Sequence, residues 1–186
     1  QSWVPAMICW GMGGFGLGLT GALEVNTKED ISANSNLIIM WGANFHSQPN
    51  TTRHVRAAQK RGAKLVTIDV RRTEVAAQSD DVFLLKPGSD AALALAMMHV
   101  IIAEGLADAD FIAQHTIGFT ELRDHVADLT PEWAATKTGI PADRITALAH
   151  DYANSQPAAI IMGGSSIHKG ANAWQSARAI SCLPAL

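Results

Sequence analysis

The sequence predicts an α/β fold: a mostly parallel sheet flanked by helices, a Rossmann-like three-layer sandwich. Three observations carry this. Leu37-Ile-Ile-Met-Trp41 is an uninterrupted apolar run of strand length, and residues 64–70 form a second, rich in β-branched side chains. Residues 50–61, between the two, are helix-compatible, which makes a βαβ unit. Further short apolar runs at 82–85 and 158–162 are each bounded by polar or glycine punctuation and separated by helical patterns, so four strands alternate with helices.

Each helix has its own signals. Residues 91–104 are almost wholly apolar, with Asp90 as the expected N-cap and Gly105 just past the end, which predicts a helix buried against the sheet. Thr130-Pro-Glu-Trp133 opens a helix with a capping hydroxyl and proline at the first position, and Gly139 closes it. Over 141–154 the spacing puts Ile145, Leu148, Ala149 and Tyr152 on one stripe. Shorter helices are expected at 108–115 and 120–127, and another from Asn172. The fourth strand thus follows a helical insertion at about 106–155. The α/β domain covers 31–186, preceded by a glycine-rich segment at 1–30.

Composition narrows the function. An apolar content of 48% with 17% charged residues belongs to a globular domain. A net charge of −3 without a basic stripe excludes nucleic-acid binding. Cys9 and Cys182 make no disulfide framework and no Cys-x-x-Cys metal pair, which fits a reducing, cytoplasmic compartment, with the periplasm as the alternative. No apolar run is long enough to span a membrane. The ends of the sequence read as those of a fragment whose remaining domains belong to the same polypeptide.

Gly11-Met-Gly-Gly-Phe-Gly16 fits the G-x-G-x-x-G pattern, but such a fingerprint must open a helix facing a pyrophosphate. Two further glycines and Thr20 follow. The expectation over 1–23 is therefore a glycine-rich loop in close contact with its surroundings, with too many glycines for a stable helix.

The polar clusters at the strand ends are more informative. After the first strand, Gly42 gives backbone access and Asn44 an amide that donates and accepts. An ordinary turn would account for either alone. Asp69 ends the second strand, where a carboxylate can accept from a ribose diol or from guanine N–H groups, and Arg71 and Arg72 follow with forks suited to phosphate or to a base. After the third strand come Gly88 and Asp90. After the fourth, Gly163, Ser166 and His168 lie in a small-residue loop able to seat an anion or a flat heterocycle, with His168 a possible proton carrier. Ligands of parallel sheets bind along this edge, so the convergence points to a nucleotide-bearing cofactor.

Taken in order, these stretches resemble the molybdopterin oxidoreductase family, which includes formate dehydrogenases, nitrate reductases and dimethyl sulfoxide reductases. The resemblance is carried by residues 37–44, Arg61-Gly-Ala-Lys-Leu-Val-Thr-Ile-Asp-Val-Arg-Arg-Thr73, Pro87-Gly-Ser-Asp-Ala-Ala-Leu-Ala-Leu95, Glu104-Gly-Leu-Ala-Asp108 and His115-Thr-Ile-Gly-Phe119. It implies an enzyme with two molybdopterin guanine dinucleotides and Mo or W, acting on a small substrate, formate-like by preference. This chain would hold one guanosine and its phosphates with Gly42, Asn44, Asp69, Arg71, Gly88 and Asp90, and the loop 163–170 would lie nearer the pterin. An iron–sulfur cluster is implied only N-terminal to this chain. The electron partner is unspecified.

The chain departs from its relatives at three points: Phe45 and Val70 stand where many carry proline, and Ser166 where many carry glutamine. Cys9 does not match a family metal-ligand motif, so no metal ligand is assigned here. Two rival readings remain: a cofactor-free structural domain like that of a complex I large subunit, and a nicotinamide-dependent dehydrogenase using Gly11–Gly16.

Overall fold

The computed structural model describes residues 11–21, 26–47, 49–167 and 170–186, without the side chains of Ser165 and Ser166. Four parallel strands form one sheet: β1 (Leu37–Trp41), β2 (Lys64–Asp69), β3 (Asp81–Leu84) and β4 (Ala158–Met162), in the order β3-β2-β1-β4. All five β1 residues are buried, as a central strand covered on both faces requires. Leu37 pairs with Lys64 and with Ala158, and Trp41 with Ile68 and Met162, so the strands finish together along one edge.

Alternation along β1 and β2 divides the core in two. Leu37, Ile39, Trp41, Val66 and Ile68 face one layer, while Ile38, Met40 and Leu65 face the other. The first layer is built on α4 (Asp90–Ala103), whose apolar circumference lets it touch sheet and helices at once: α7 (Pro131–Thr138), α8 (Ala142–Asn154) and α10 (Ala173–Cys182) all pack on it. The second layer is α3 (Pro49–Lys60), which buries Val55 and Ala58 and carries α2 (Lys28–Asn34) on its back. The chain leaves β1 toward β2 and returns to β1's other side with β4. This reversal of strand order is where open α/β sheets leave a crevice.

The strands at 37–41 and 158–162 have the expected bounds, and the others shift by one residue or less. The expected stripe on α8 is buried at Ile145, Leu148 and Ala149, and burial pushes the Tyr152 phenol strongly upward. Thr130 caps α7 by accepting the Trp133 N–H, and α5 (Ala109–His115) and α6 (Phe119–Val126) fill the connection.

The glycine-rich segment overturns an expectation. Met12–Gly18 is a helix, α1, not a loop. Local propensity disfavours it, but packing decides: α1 lies against α10 so closely that a Cβ on Gly16 would sit 2.3 Å from the Trp174 carbonyl oxygen and 2.8 Å from the Ala177 Cβ. The Phe15 ring meets the Trp174 ring edge-on at 5.9 Å. Gly11–Gly16 therefore lies in and just before a helix docked on α10, and residues 1–10 lie outside the described residues. Gly16→Ala raises intrinsic helix propensity, yet it is expected to destabilise the chain by about 1–3 kcal/mol through overpacking, read as a lower urea midpoint.

A second correction concerns Gly163–Gly170. Gly164–Ile167 form a short helix, α9, where a loop was expected.

Candidate functional site

The polar clusters meet along the C-terminal edge of the sheet. At the end of β1 the chain turns through Gly42, whose φ of 60° suits glycine and whose N–H donates to the Ile68 carbonyl at 2.8 Å, tying this turn to β2. The Gly163 N–H makes the equivalent bond to the Trp41 carbonyl, 2.8 Å, from the end of β4. The Leu85 N–H donates to the Asp69 carbonyl at 3.0 Å, so the chain after β3 is fixed to the end of β2.

Asp69 is half-buried at the end of β2. Its Oδ1 accepts the backbone N–H of Val70 (2.7 Å) and of Arg71 (3.3 Å), a turn closed by the side chain. Arg71 extends, exposed, from that turn.

Asp90 corrects a further expectation. The cap of α4 is Ser89, and Asp90 is the first helical residue. Its carboxylate accepts the indole N–H of fully buried Trp41, 2.9 Å away. Burial raises the Asp90 carboxyl above its ordinary value; the Trp41 bond opposes this, and the nearby charge of Asp69 adds to it. Asp90 thus links the end of β1 to the start of α4. Gly88, two residues earlier, approaches Gly170, whose Cβ would lie 3.8 Å from the Gly88 Cα, so the segments after β3 and β4 also meet.

A carboxyl raised in the folded state binds its proton more tightly there than in the unfolded chain. Stability from Asp90 is therefore highest below 3.8, its unfolded value, and falls as pH rises through the folded one. Asp90→Asn keeps an oxygen for the Trp41 N–H and removes the charge. The variant is expected to be more stable than the parent at about pH 7, with the advantage shrinking toward about pH 3, measured as paired urea midpoints.

The third link joins β1 to the turn after β2. Asn44 donates its amide N–H to Glu74 Oε2 at 2.7 Å, and Glu74 Oε1 lies 3.3 Å from His46 Nδ1. The Asn44 bond, with help from His46 and Arg71, holds the Glu74 carboxyl below its ordinary value. Asn44 Oδ1 and Thr73 Oγ1, both at this edge, are buried with no hydrogen-bond partner. An unpaired buried polar atom is costly, so each suits a ligand group.

Of the residues singled out from sequence, Gly42, Asn44, Asp69, Arg71, Gly88, Asp90 and Gly163 all lie at this edge. Ser166 falls in α9, and its side chain, like His168 and Cys9, lies outside the described residues. Trp41, Thr73 and Glu74 join the candidate site through contacts and burial that the sequence does not display. An indole at a strand end, whose N–H needs a partner, was the available signal for Trp41.

The molybdopterin oxidoreductase family matches residues 7–186. The chain belongs to that family. It is 35% identical over its whole length to the probable oxidoreductase YoaE of Bacillus subtilis, covering 27% of that protein. It is 38% identical to formate dehydrogenase H of Escherichia coli over 81% of this chain and 21% of that one. Acetylene hydratase from Pelobacter acetylenicus superposes with a TM-score of 0.85 at 32% identity, over 97% of this chain and 25% of that one. The chain thus spans about a quarter of the length of these relatives. Family membership implies a molybdopterin cofactor with Mo or W. The strand-end residues suit such a group: two orphaned buried polar atoms, an arginine and two carboxylates stand on one edge. Among the described residues no helix is long and apolar enough to cross a membrane.

Proposed function

We propose that this chain holds the guanosine end of a molybdopterin guanine dinucleotide within a longer Mo- or W-dependent oxidoreductase carrying two such groups. The single observation that supports this best is the placement of Asn44, Asp69 and Asp90 along the C-terminal edge of a parallel sheet, beside the reversal of its strand order, with Asn44 Oδ1 buried and unpaired. Asp69 and Asp90 would accept from base or ribose, Arg71 would meet phosphate, and Gly42 and Gly88 would leave the backbone open to the ligand. The segment from Gly163 to Gly170, with Ser166 and His168, would face the pterin. When bound, the cofactor supplies the two-electron redox centre. This chain orients it and excludes water from its nucleotide end. The iron–sulfur cluster and the electron-transfer contacts belong to other parts of the polypeptide. A formate-like substrate is favoured by relatives named formate dehydrogenases, among them the F420-dependent enzyme subunit of Methanocaldococcus jannaschii.

The test is the Mo, W and acid-released guanine nucleotide content of the complete polypeptide purified from its own cells. About two guanine nucleotides per metal are expected for a bis-dinucleotide centre. Folded protein lacking all three would overturn the reading in favour of a cofactor-free scaffold.

A further inference from the structure

Asn44 could present either end of its amide to a ligand, and oxygen and nitrogen of an amide are exchanged by a simple flip. Its neighbour removes the ambiguity. An ionised carboxylate only accepts, so the Asn44 atom 2.7 Å from Glu74 Oε2 must be the nitrogen. Glu74 is itself held from the other side by His46 at 3.3 Å, with the backbone after Asp69 carrying it toward β1. The atom left over is Asn44 Oδ1, buried and unpaired. An acceptor there is satisfied only by an N–H or O–H. A nucleotide's phosphate oxygens carry no proton near neutrality and would be repelled; the base and the ribose carry donors.

We propose that Glu74 is a positioning residue: by accepting the Asn44 amide N–H, it fixes Asn44 Oδ1 as the acceptor for a donor on the base or ribose of the bound nucleotide. The proposal rests on the guanosine reading above. It adds a residue that touches no ligand and a direction of hydrogen bonding at Asn44.

Four variants of the complete polypeptide test the proposal, with retained guanine nucleotide after extended dialysis as the readout and far-UV circular dichroism as the check on folding. Glu74→Gln keeps an acceptor for the Asn44 N–H and should retain nucleotide within about twofold of the parent. Glu74→Lys offers only donors, so the amide flips, its nitrogen meets the ligand donor, and retention should fall about tenfold or more. Asn44→Asp alone places a carboxylate against Glu74 and should also lose nucleotide. Asn44→Asp combined with Glu74→Lys restores a donor at 74 and an acceptor toward the ligand, and should recover most of the loss. Recovery in the double variant supports the assignment even if either single variant is less stable. Parental retention in Glu74→Lys, or a double variant no better than the single ones, would overturn it. If the parent itself holds no guanine nucleotide, the guanosine reading fails first, and this proposal with it.

Discussion

Trp41→Ala should cost about 3–5 kcal/mol of stability, enough to unfold much of a marginally stable chain. Trp41 is the last residue of the central strand, with no exposed surface, and it packs in the layer that α4 organises. Truncation opens a cavity between sheet and α4 at the point where both must stay in register. It also strips Asp90 of the indole N–H that stabilises its ionised form, so the carboxyl, already raised by burial, should rise further. Trp41→Phe separates the two effects. It keeps most of the buried ring and loses only the donor, so it should cost little stability at about pH 3, where Asp90 is protonated, and more at about pH 7. Urea midpoints of both variants at the two pH values check this. Equal losses for Trp41→Phe at both would mean that the Asp90 contact contributes nothing through its charge.

This pairing also shows why parts of the site could not be read along the chain. β1 is legible because a doubly covered strand must be continuously apolar, and β4, a half-buried edge strand, because its short run is just as apolar; the C-terminal ends of parallel strands share one edge by geometry. Gly42, Asn44, Asp69 and Asp90 could be placed on that edge for the same reason. What connects them is long-range: Asp90 meets an indole 49 positions away, and Asn44 meets Glu74 30 positions on. Ser89 and Asp90 are both good capping residues, and the Asp90 carboxylate is engaged by the distant Trp41 indole instead of the helix N-terminus. The helix α1 was missed for a related reason. Six glycines argue against a helix when counted locally, but Gly16 is what allows the approach to Trp174 and Ala177 that stabilises it. In each case propensity was overruled by a contact the chain makes far away.

Asp69→Ala should lower guanine-nucleotide retention of the complete polypeptide by roughly a hundredfold, the equivalent of two charge-assisted hydrogen bonds of about 1.5 kcal/mol each. The residue has two separable duties. Its Oδ1 closes the turn onto the Val70 and Arg71 N–H groups, which aims Arg71. Its charge raises Asp90 and, on the proposed reading, would face the nucleotide. Asp69→Asn retains an oxygen for the turn but carries no charge, so it should fold like the parent and still lose most of the nucleotide. Relief of Asp90 gives an independent readout: in both variants its carboxyl should titrate lower than in the parent, in the direction that Coulomb repulsion between the pair requires. Full nucleotide retention in Asp69→Asn would leave Asp69 a turn former and move the recognition of the base to Asn44 and Asp90. Loss of nucleotide without the accompanying fall at Asp90 would mean that the two carboxylates do not share one electrostatic site.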